Sequence, residues 1–327
     1  MDFLKRIFSN FIELTRAYAL PVTFASLIVI WAFSRYYIDF TYINFVLLVF
    51  ALCCVHLGAN LFDDYIDVKK KLKNTNSINE ISFERFTLKA DLILKEVFSM
   101  KEVEIIISSL FFFPILIGLY FAITVTPYVL VFAFLGAILA LFYPISPKYC
   151  LGEIVIGLIY GPLMINGGYL AMTGEMNFSV FYVSIAVFFA VIVLLHTDNI
   201  MDWEFDIKEG KKTLCILSGS KIKAINVLKI IIATAYLIIV GGVLGGFLNP
   251  NSLYVFLTLP IATKLTESLI DYINIKDIQF VPRWYYGPFE NWETIKKNKI
   301  DFFMYRMYLG RNFALFFAIF LAIGTIV

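Results

Sequence analysis

The chain is poor in charged residues. Asp, Glu, Lys and Arg make up 16% of its 327 residues, whereas hydrophobic residues reach 60%. A soluble domain typically has about 25% charged and about 45–50% apolar residues. The composition therefore excludes an ordinary soluble domain and predicts a polytopic membrane protein. Because the net charge is only +2, the positions of the charges matter more than their sum.

Cysteine is also scarce. The four cysteines, Cys53, Cys54, Cys150 and Cys215, show none of the short spacings that are typical of metal sites. Three of them lie in or beside apolar runs, where a free cysteine usually behaves as a small buried hydrophobe. We therefore expect buried thiols here and not a metal cluster.

Long apolar runs are abundant. A run of roughly 18–25 apolar residues is long enough for an α-helix to cross a bilayer. The sequence predicts about nine such helices in a single all-α transmembrane domain over residues 1–327, although the first span is short. The predicted spans are Ala19–Phe33, Ile43–Phe62, Val103–Thr124, Tyr128–Phe142, Ile154–Met172, Phe178–Ile200, Ala224–Leu248, Leu253–Ile270 and Met307–Val327.

Basic residues are distributed unevenly between the predicted loops. The loops after spans one, three, five and seven contain Arg35 and no other Lys or Arg; the rest lie in or beside the N-terminal segment and the other loops. Since cytoplasmic loops carry the excess of Lys and Arg, the N-terminus and the even-numbered loops are expected to face the cytoplasm.

The four longest segments outside the predicted spans have recognisable features. The first, 1–18, lacks a cleavable signal pattern and alternates charged with apolar residues, which predicts an amphipathic helix on the membrane surface. Residues 68–101 and 201–223 are expected to be cytoplasmic loops. Residues 271–306 mix aromatic and charged residues, which indicates an interfacial segment or, equally, an ordinary aromatic belt.

Two acidic motifs stand at the ends of spans two and six. In a helix, Asn60, Asp63, Asp64 and Asp67 fall at i, i+3, i+4 and i+7, so they share one face. The second motif follows the same logic, with its carboxylates at i, i+4 and i+8: Asp198, Asp202 and Asp206. Carboxylates near hydrocarbon are costly, and stacked carboxylates repel one another unless a cation lies between them.

Mg²⁺ is the cofactor that such oxygen ligands indicate, with Mn²⁺ as a possible substitute, because Mg²⁺ prefers carboxylates, water and phosphate oxygens. All seven motif residues are candidate metal ligands. The run Gly210-Lys211-Lys212-Thr213 follows the second motif directly, and we expect Lys211 and Lys212 to bind phosphate oxygens of a diphosphate. The lysines after the first motif are better explained by membrane topology.

The two motifs, with this spacing and placement, resemble those of the UbiA superfamily of intramembrane prenyltransferases. Asn60, Asp64 and Asp67 match the first family motif, and the second matches a DxxxDxxxD-type run. The stretches 143–169 and 196–214 are most similar to the MenA-like branch, which prenylates naphthoquinone precursors. Departures occur at Asp198 and Met201, where that branch usually has Asn and Arg. A bundle around a central cavity is the fold that this resemblance implies.

The resemblance implies Mg²⁺-dependent transfer of a polyprenyl group from an isoprenyl diphosphate to an aromatic acceptor, 1,4-dihydroxy-2-naphthoate, in menaquinone biosynthesis. It also implies a multi-pass protein of a bacterial or archaeal cell membrane whose active site faces the cytoplasm. The bilayer and the two substrates are its expected partners, and no nucleic acid is expected. Candidate catalytic residues are Asp64, Asp67, Asp202 and Asp206, and candidate substrate-binding residues are Asn60, Tyr143, Lys148, His196, Asn199, Lys211 and Lys212.

Other functions remain open at this stage. A relative with a different acceptor, such as hydroxybenzoate or a glycerol or sugar phosphate, or a terpene cyclase, would use the same motifs. A cation-coupled transporter also needs intramembrane carboxylates. However, the non-cytoplasmic side shows no matching acidic pathway. Phosphatidyltransferases are disfavoured because the chain has no DGxxAR-type element.

Overall fold

The computed structural model describes residues 2–74, 91–94, 97–274 and 279–326. These residues are mostly helical and contain no strand. Part of the predicted loop 68–101 and of the segment 271–306 lies outside them. The α-helices, numbered in chain order, are α1 Asp2–Leu14, α2 Pro21–Ser34, α3 Tyr42–Asn74, α4 Asp91–Leu94, α5 Met100–Thr124, α6 Val129–Phe142, α7 Gly152–Leu158, α8 Met164–Thr173, α9 Phe178–Met201, α10 Trp203–Lys208, α11 Leu214–Leu217, α12 Lys221–Leu244, α13 Leu259–Ile273, α14 Trp292–Lys297 and α15 Asp301–Ile326.

The predicted all-α membrane bundle is confirmed. Within the described residues, eight helical segments are long and apolar enough to cross a bilayer, and the remaining predicted span, the first, is the shorter α2. Helix α3 continues to Asn74 and so extends past the predicted end of span two. Helix α15 begins at Asp301, earlier than the predicted Met307.

Helices α5 and α6 form the most exposed part of the bundle. Phe112, Ile123 and Phe134 all project outward from them, and Ile123 is 84% exposed. In water such a surface would be unfavourable, whereas hydrocarbon tails solvate it without cost. These two helices therefore present a lipid-facing surface.

The centre of the bundle is built around α9, which packs against α12 and α15. On its other side α9 meets a π-helical segment, Ile159–Leu163, that interrupts the span between α7 and α8. A Cβ atom on Gly161 would lie 2.7 Å from the backbone oxygen of Ser184, so only glycine permits this close approach. The π-helical turn therefore sits tightly against the helix that carries the second acidic motif.

Helix α1 packs beside α3 and α5, at the end of α3 that carries the first acidic motif. Phe3 and Ile7 pack against an apolar cluster that includes Leu61 and Val103, whereas Phe8 on the other face is 91% exposed. One apolar face is therefore used for packing and another is left open, which suits a helix lying in the membrane interface. This placement brings the residues that follow α1 close to the first acidic motif.

Candidate active site

The second acidic motif is buried. Asp198, Asp202 and Asp206 are 8%, 5% and 1% exposed. Although α9 ends at Met201, the backbone N–H of Asp202 donates to Asp198 O at 2.8 Å and that of Asp206 donates to Asp202 O at 2.9 Å. This continued i→i−4 pattern places the three carboxylates on one face, about one helical turn apart.

A tight turn brings a lysine back onto this motif. Gly210 adopts a left-handed φ of 69°, a conformation that glycine reaches without a Cβ penalty. The following residue, Lys211, places its Nζ 3.1 Å from Asp206 Oδ1 and 3.1 Å from Glu209 Oε2. Lys211 is therefore a cation placed directly at the end of the acidic motif.

The loop after the turn is attached to a neighbouring segment. The backbone N–H of Lys212 donates to Pro147 O at 2.7 Å, and Pro147 belongs to the 3₁₀ segment Tyr143–Tyr149. This bond brings the predicted substrate-binding residues Tyr143, half-buried, and Lys148, exposed, to the same part of the surface as Lys212, which is also exposed.

A fully buried glutamate connects α9 to the same loop. Glu153 Oε1 accepts a hydrogen bond of 2.7 Å from Asn199 Nδ2 and one of 3.2 Å from the backbone N–H of Leu214. Thr213 caps α11 by accepting from the backbone N–H of Ile216. Asn199 therefore helps to hold the loop that carries Lys211, through Glu153.

The first acidic motif is covered by an arginine. Asp64 is 3% exposed and forms an ion pair with Arg16, whose Nε lies 3.0 Å from Asp64 Oδ2. Asp63 Oδ2 lies 3.5 Å from Nη2 of the same arginine. Asn60 Nδ2 donates to Thr15 O at 3.4 Å. The segment between α1 and α2 thus supplies the positive charge that two of these carboxylates need.

Asp67 is the open end of this motif. Its side chain is 45% exposed, and its Oδ1 lies 3.6 Å from Lys70 Nζ. An exposed pair of this kind is weak, so Asp67 can exchange Lys70 for another cation at little cost.

Both motifs lie at the same end of the bundle. Tyr18 lies between α1 and α2, two residues after Arg16, which pairs with Asp64 of the first motif. The pKa of Tyr18 is raised chiefly by burial, while the charge of Arg16 lowers it and that of Asp198 raises it. The chain between α1 and α2 therefore contacts the first motif through Arg16, and the charge of Asp198 from the second motif also reaches it.

The two histidines are buried in different places. His196 is completely buried beside Glu153 and Cys215, with Nε2 3.0 Å from Ala224 O. His56 Nδ1 lies 2.6 Å from the Tyr160 hydroxyl and 2.7 Å from Thr23 Oγ1. His56 thus joins α3 to α2 and to the π-helical turn.

Two residues that sequence reasoning gave little weight are central in the structure. Arg16 was not among the candidate site residues, and its left-handed φ of 52° has no sequence signal in a non-glycine residue. Glu153 lies in a stretch that resembles the family and at the start of a span, but it was not among the candidate site residues either. Their partners come from distant parts of the chain, so spacing could not reveal them.

The side chains present fit a magnesium ion. Carboxylate oxygens are the hard ligands that Mg²⁺ prefers. Three buried carboxylates on one face repel one another, and a polyvalent cation offsets that repulsion. Asp198, Asp202 and Asp206 are the residues that would hold it, together with Asp67 and Asn60 from the first motif.

Comparison with known proteins shows a similarity to prenyltransferases. The profile described as "UbiA prenyltransferase family" matches residues 19–279. The 1,4-dihydroxy-2-naphthoate octaprenyltransferase of Bacillus subtilis (strain 168) is 25% identical over 263 residues, which covers 79% of this chain and 81% of that protein.

Two solved structures share the fold. A structure described by the words "Digeranylgeranylglyceryl phosphate synthase in membranes" superposes with a TM-score of 0.57 at 15% identity, covering 100% of this chain and 99% of the other. The apo structure of a UbiA homolog from Aeropyrum pernix K1 superposes with a TM-score of 0.55 at 19% identity, covering 96% and 98%.

Proposed function

Because the chain belongs to the UbiA prenyltransferase family and is therefore a prenyltransferase, we propose that it transfers a polyprenyl group from an isoprenyl diphosphate to 1,4-dihydroxy-2-naphthoate. The B. subtilis relative carries this aromatic acceptor in its name. The product would be a menaquinone precursor.

The observation that carries this proposal is the burial of the second acidic motif beside Lys211. Asp198, Asp202 and Asp206 are all less than 9% exposed, and Lys211 Nζ lies 3.1 Å from Asp206 Oδ1. Buried carboxylates of this kind are expensive to maintain. A site that binds Mg²⁺ and a diphosphate explains why the protein keeps them there.

When bound, Mg²⁺ supplies positive charge that stabilises the departing diphosphate. Lys211 adds a donor that can turn from Asp206 to a phosphate oxygen. Lys212 and Lys148, both exposed on the adjoining segments, can bind oxygens at the outer side of the diphosphate. These cations stabilise negative charge as it develops during breakage of the allylic C–O bond.

The apolar interior of the bundle protects the allylic cation that forms when the diphosphate leaves. Helix α9 carries buried apolar side chains such as Val187, Val191 and Ile200, which pack against the surrounding helices. A site that excludes water prevents hydrolysis of the allylic cation, so the electron-rich acceptor ring is the nucleophile that meets it. Loss of a proton or of CO₂ then restores the aromatic ring.

The test is prenyl transfer in membranes that contain the protein, with the product identified by mass spectrometry. We expect activity with Mg²⁺ or Mn²⁺ and its loss in EDTA. Asp202→Asn and Asp67→Asn should lower kcat/KM by at least about 100-fold, since each removes charge that binds the metal. Glu293→Gln, at an acid 89% exposed on α14, is the matched control and should leave activity unchanged. Full activity of Asp202→Asn would refute the proposal.

The acceptor is tested separately. We expect 1,4-dihydroxy-2-naphthoate to be prenylated in preference to 4-hydroxybenzoate and to a glycerol phosphate. Efficient transfer to either alternative, with none to the naphthoate, would overturn the acceptor while leaving the reaction class intact.

We also propose that the acidic end of the bundle faces the cytoplasm of a cell membrane. The proposal rests on the excess of Lys and Arg in the loops on that side. Single cysteines introduced at Lys148 and at Asp39 test it. A membrane-impermeant maleimide added to intact cells should label position 39 and not position 148, and the reverse pattern would contradict the orientation.

A further inference from the structure

Three potential metal ligands meet in the interior, outside the acidic motifs. Glu153 at the start of α7, His196 on α9 and Cys215 on α11 are each completely buried. Their ligand atoms all lie within 4.8 Å of one another. His196 Nδ1 is 3.7 Å from Glu153 Oε1 and 3.5 Å from Cys215 Sγ.

The hydrogen bonding of His196 determines which nitrogen faces this cluster. Nε2 lies 3.0 Å from Ala224 O, and because a carbonyl oxygen can only accept, Nε2 carries the hydrogen. In the neutral ring, the form that binds metals, the lone pair is then on Nδ1. Cys215 Sγ lies 3.6 Å from Nε2, but that nitrogen is already engaged. Histidines that bind metals typically donate their other N–H to a backbone carbonyl in this way.

Glu153 supplies a second, independent observation. Its Oε1 accepts two hydrogen bonds, but within the described residues its buried Oε2 has no hydrogen-bond partner. A buried carboxylate oxygen without a donor is costly. A cation bound between Glu153 and the neutral ring of His196 would satisfy both the carboxylate and the Nδ1 lone pair.

We propose that Glu153, His196 and Cys215 form a binding site for a divalent transition metal of the Zn²⁺ type. Zinc–ligand distances of about 2.0–2.3 Å place tetrahedral ligands about 3.3–3.6 Å apart, close to the two spacings measured around Nδ1. The thiolate and imidazole select zinc-like ions over Mg²⁺, which prefers oxygen. The site is therefore distinct from the acidic motifs.

Charge balance agrees with this site. Burial raises the pKa of the Cys215 thiol, and the nearby Glu153 raises it further, so without a metal the sulfur stays protonated. Metal binding releases that proton to solvent and leaves a thiolate, a carboxylate and a neutral imidazole around a 2+ ion. The complete site is then neutral, which suits a fully buried position.

The metal would attach three parts of the chain to one another. Cys215 follows the turn that carries Lys211 by four residues, and His196 precedes Asp198 by two. A metal bound to both residues would fix the loop that carries Lys211 against the helix that bears the second motif. We expect the role to be structural.

The experiment measures metal binding without substrates, so that it is independent of the proposed reaction. The purified full-length protein, in detergent with excess Mg²⁺, is incubated with Zn²⁺, desalted and analysed by mass spectrometry of its metal content. We expect about one zinc per chain. Co²⁺ should give the near-ultraviolet charge-transfer band of a cobalt–thiolate bond.

Variants locate the site. Cys215→Ser should weaken zinc binding more than about 10-fold and abolish the cobalt–thiolate band. A variant in which Cys53, Cys54 and Cys150 are all alanine keeps Cys215 and should retain both signals. Wild-type protein that binds no zinc above a blank, or a cobalt band that survives in Cys215→Ser, would overturn the proposal. Zinc binding by the wild-type protein tests the proposal even if a variant fails to fold.

Discussion

Arg16→Ala tests how the first acidic motif is held. Arg16 lies between α1 and α2 and pairs with Asp64, while the side chains are only 13% and 4% exposed. Removing the guanidinium leaves a buried carboxylate without its cation. We expect the variant to be markedly less stable in the absence of Mg²⁺.

The magnitude follows from the geometry. At an effective dielectric constant of 20, charges 3.0 Å apart attract by about 5–6 kcal/mol. Desolvation of both groups offsets part of this, and removing one partner of a buried pair costs about 3–5 kcal/mol. Because Arg16 keeps some contact with solvent, we expect the lower end, about 3 kcal/mol, or a fall in Tm of about 5–10 °C.

The assay is thermal unfolding of the detergent-purified protein, followed by tryptophan fluorescence. Arg16→Ala should regain stability when Asp64→Asn is added, because the uncompensated charge is then gone. Mg²⁺ should raise the Tm of Arg16→Ala more than that of the wild type, since a cation can replace the guanidinium at Asp64. The matched control is Arg6→Ala: Arg6 is 43% exposed and pairs with Glu102, so its loss should cost about 1 kcal/mol or less.

Two results would refute this reasoning. If Arg16→Ala were as stable as Arg6→Ala without Mg²⁺, the pair with Asp64 would contribute nothing. If Asp64→Asn further destabilised Arg16→Ala, the loss of stability in Arg16→Ala would be due to lost packing and not to an uncompensated buried charge.

Three further predictions follow from the geometry of the site and the bundle. Lys211→Met should raise the KM for the isoprenyl diphosphate by about 10–100-fold, the value of one charge-assisted contact, whereas Lys212→Met, at a more exposed lysine, should raise it less; equal effects would argue against a special role for Lys211. Gly161→Ala should lower the Tm by about 2–8 °C, since overpacking costs about 1–3 kcal/mol and the new Cβ would meet Ser184 O at 2.7 Å. Gly136→Ala, where a Cβ meets nothing within 4 Å, is its control, and a similar fall there would contradict the packing argument. Finally, Mg²⁺ should raise the Tm of the wild-type protein and EDTA should reverse this, because a ligand that binds only the folded state stabilises it; an unchanged Tm over millimolar Mg²⁺ would argue against a preformed site.

Much of the fold was predictable from sequence because transmembrane helices are local. A run such as Phe178–Ile200 has no alternative in hydrocarbon but to form its hydrogen bonds within the segment, and α9 indeed covers Phe178–Met201. The i, i+4 spacing of Asp198, Asp202 and Asp206 likewise predicted one shared face, and the backbone bonds confirm it.

Boundaries were less predictable where the chain leaves the bilayer. Helix α3 continues through its lysines to Asn74, because a charged helix end is stable in water. A hydropathy pattern predicts only the apolar part of such a helix and so places its end too early. The π-helical turn at Ile159–Leu163 was also invisible, because it depends on the close packing of Gly161 against α9.

Only the tertiary structure decided which groups compensate the buried charges. The sequence determined that carboxylates lie at the ends of two spans and that cations must accompany them, since burial of charge in an apolar medium is costly wherever it occurs. It did not determine that Arg16 would pair with Asp64 or that Glu153, His196 and Cys215 would meet. Those partners are separated by 48 residues in the first case and by 19 to 62 residues in the second cluster. Contacts across such separations exist only once the helices have packed, because no local periodicity encodes them.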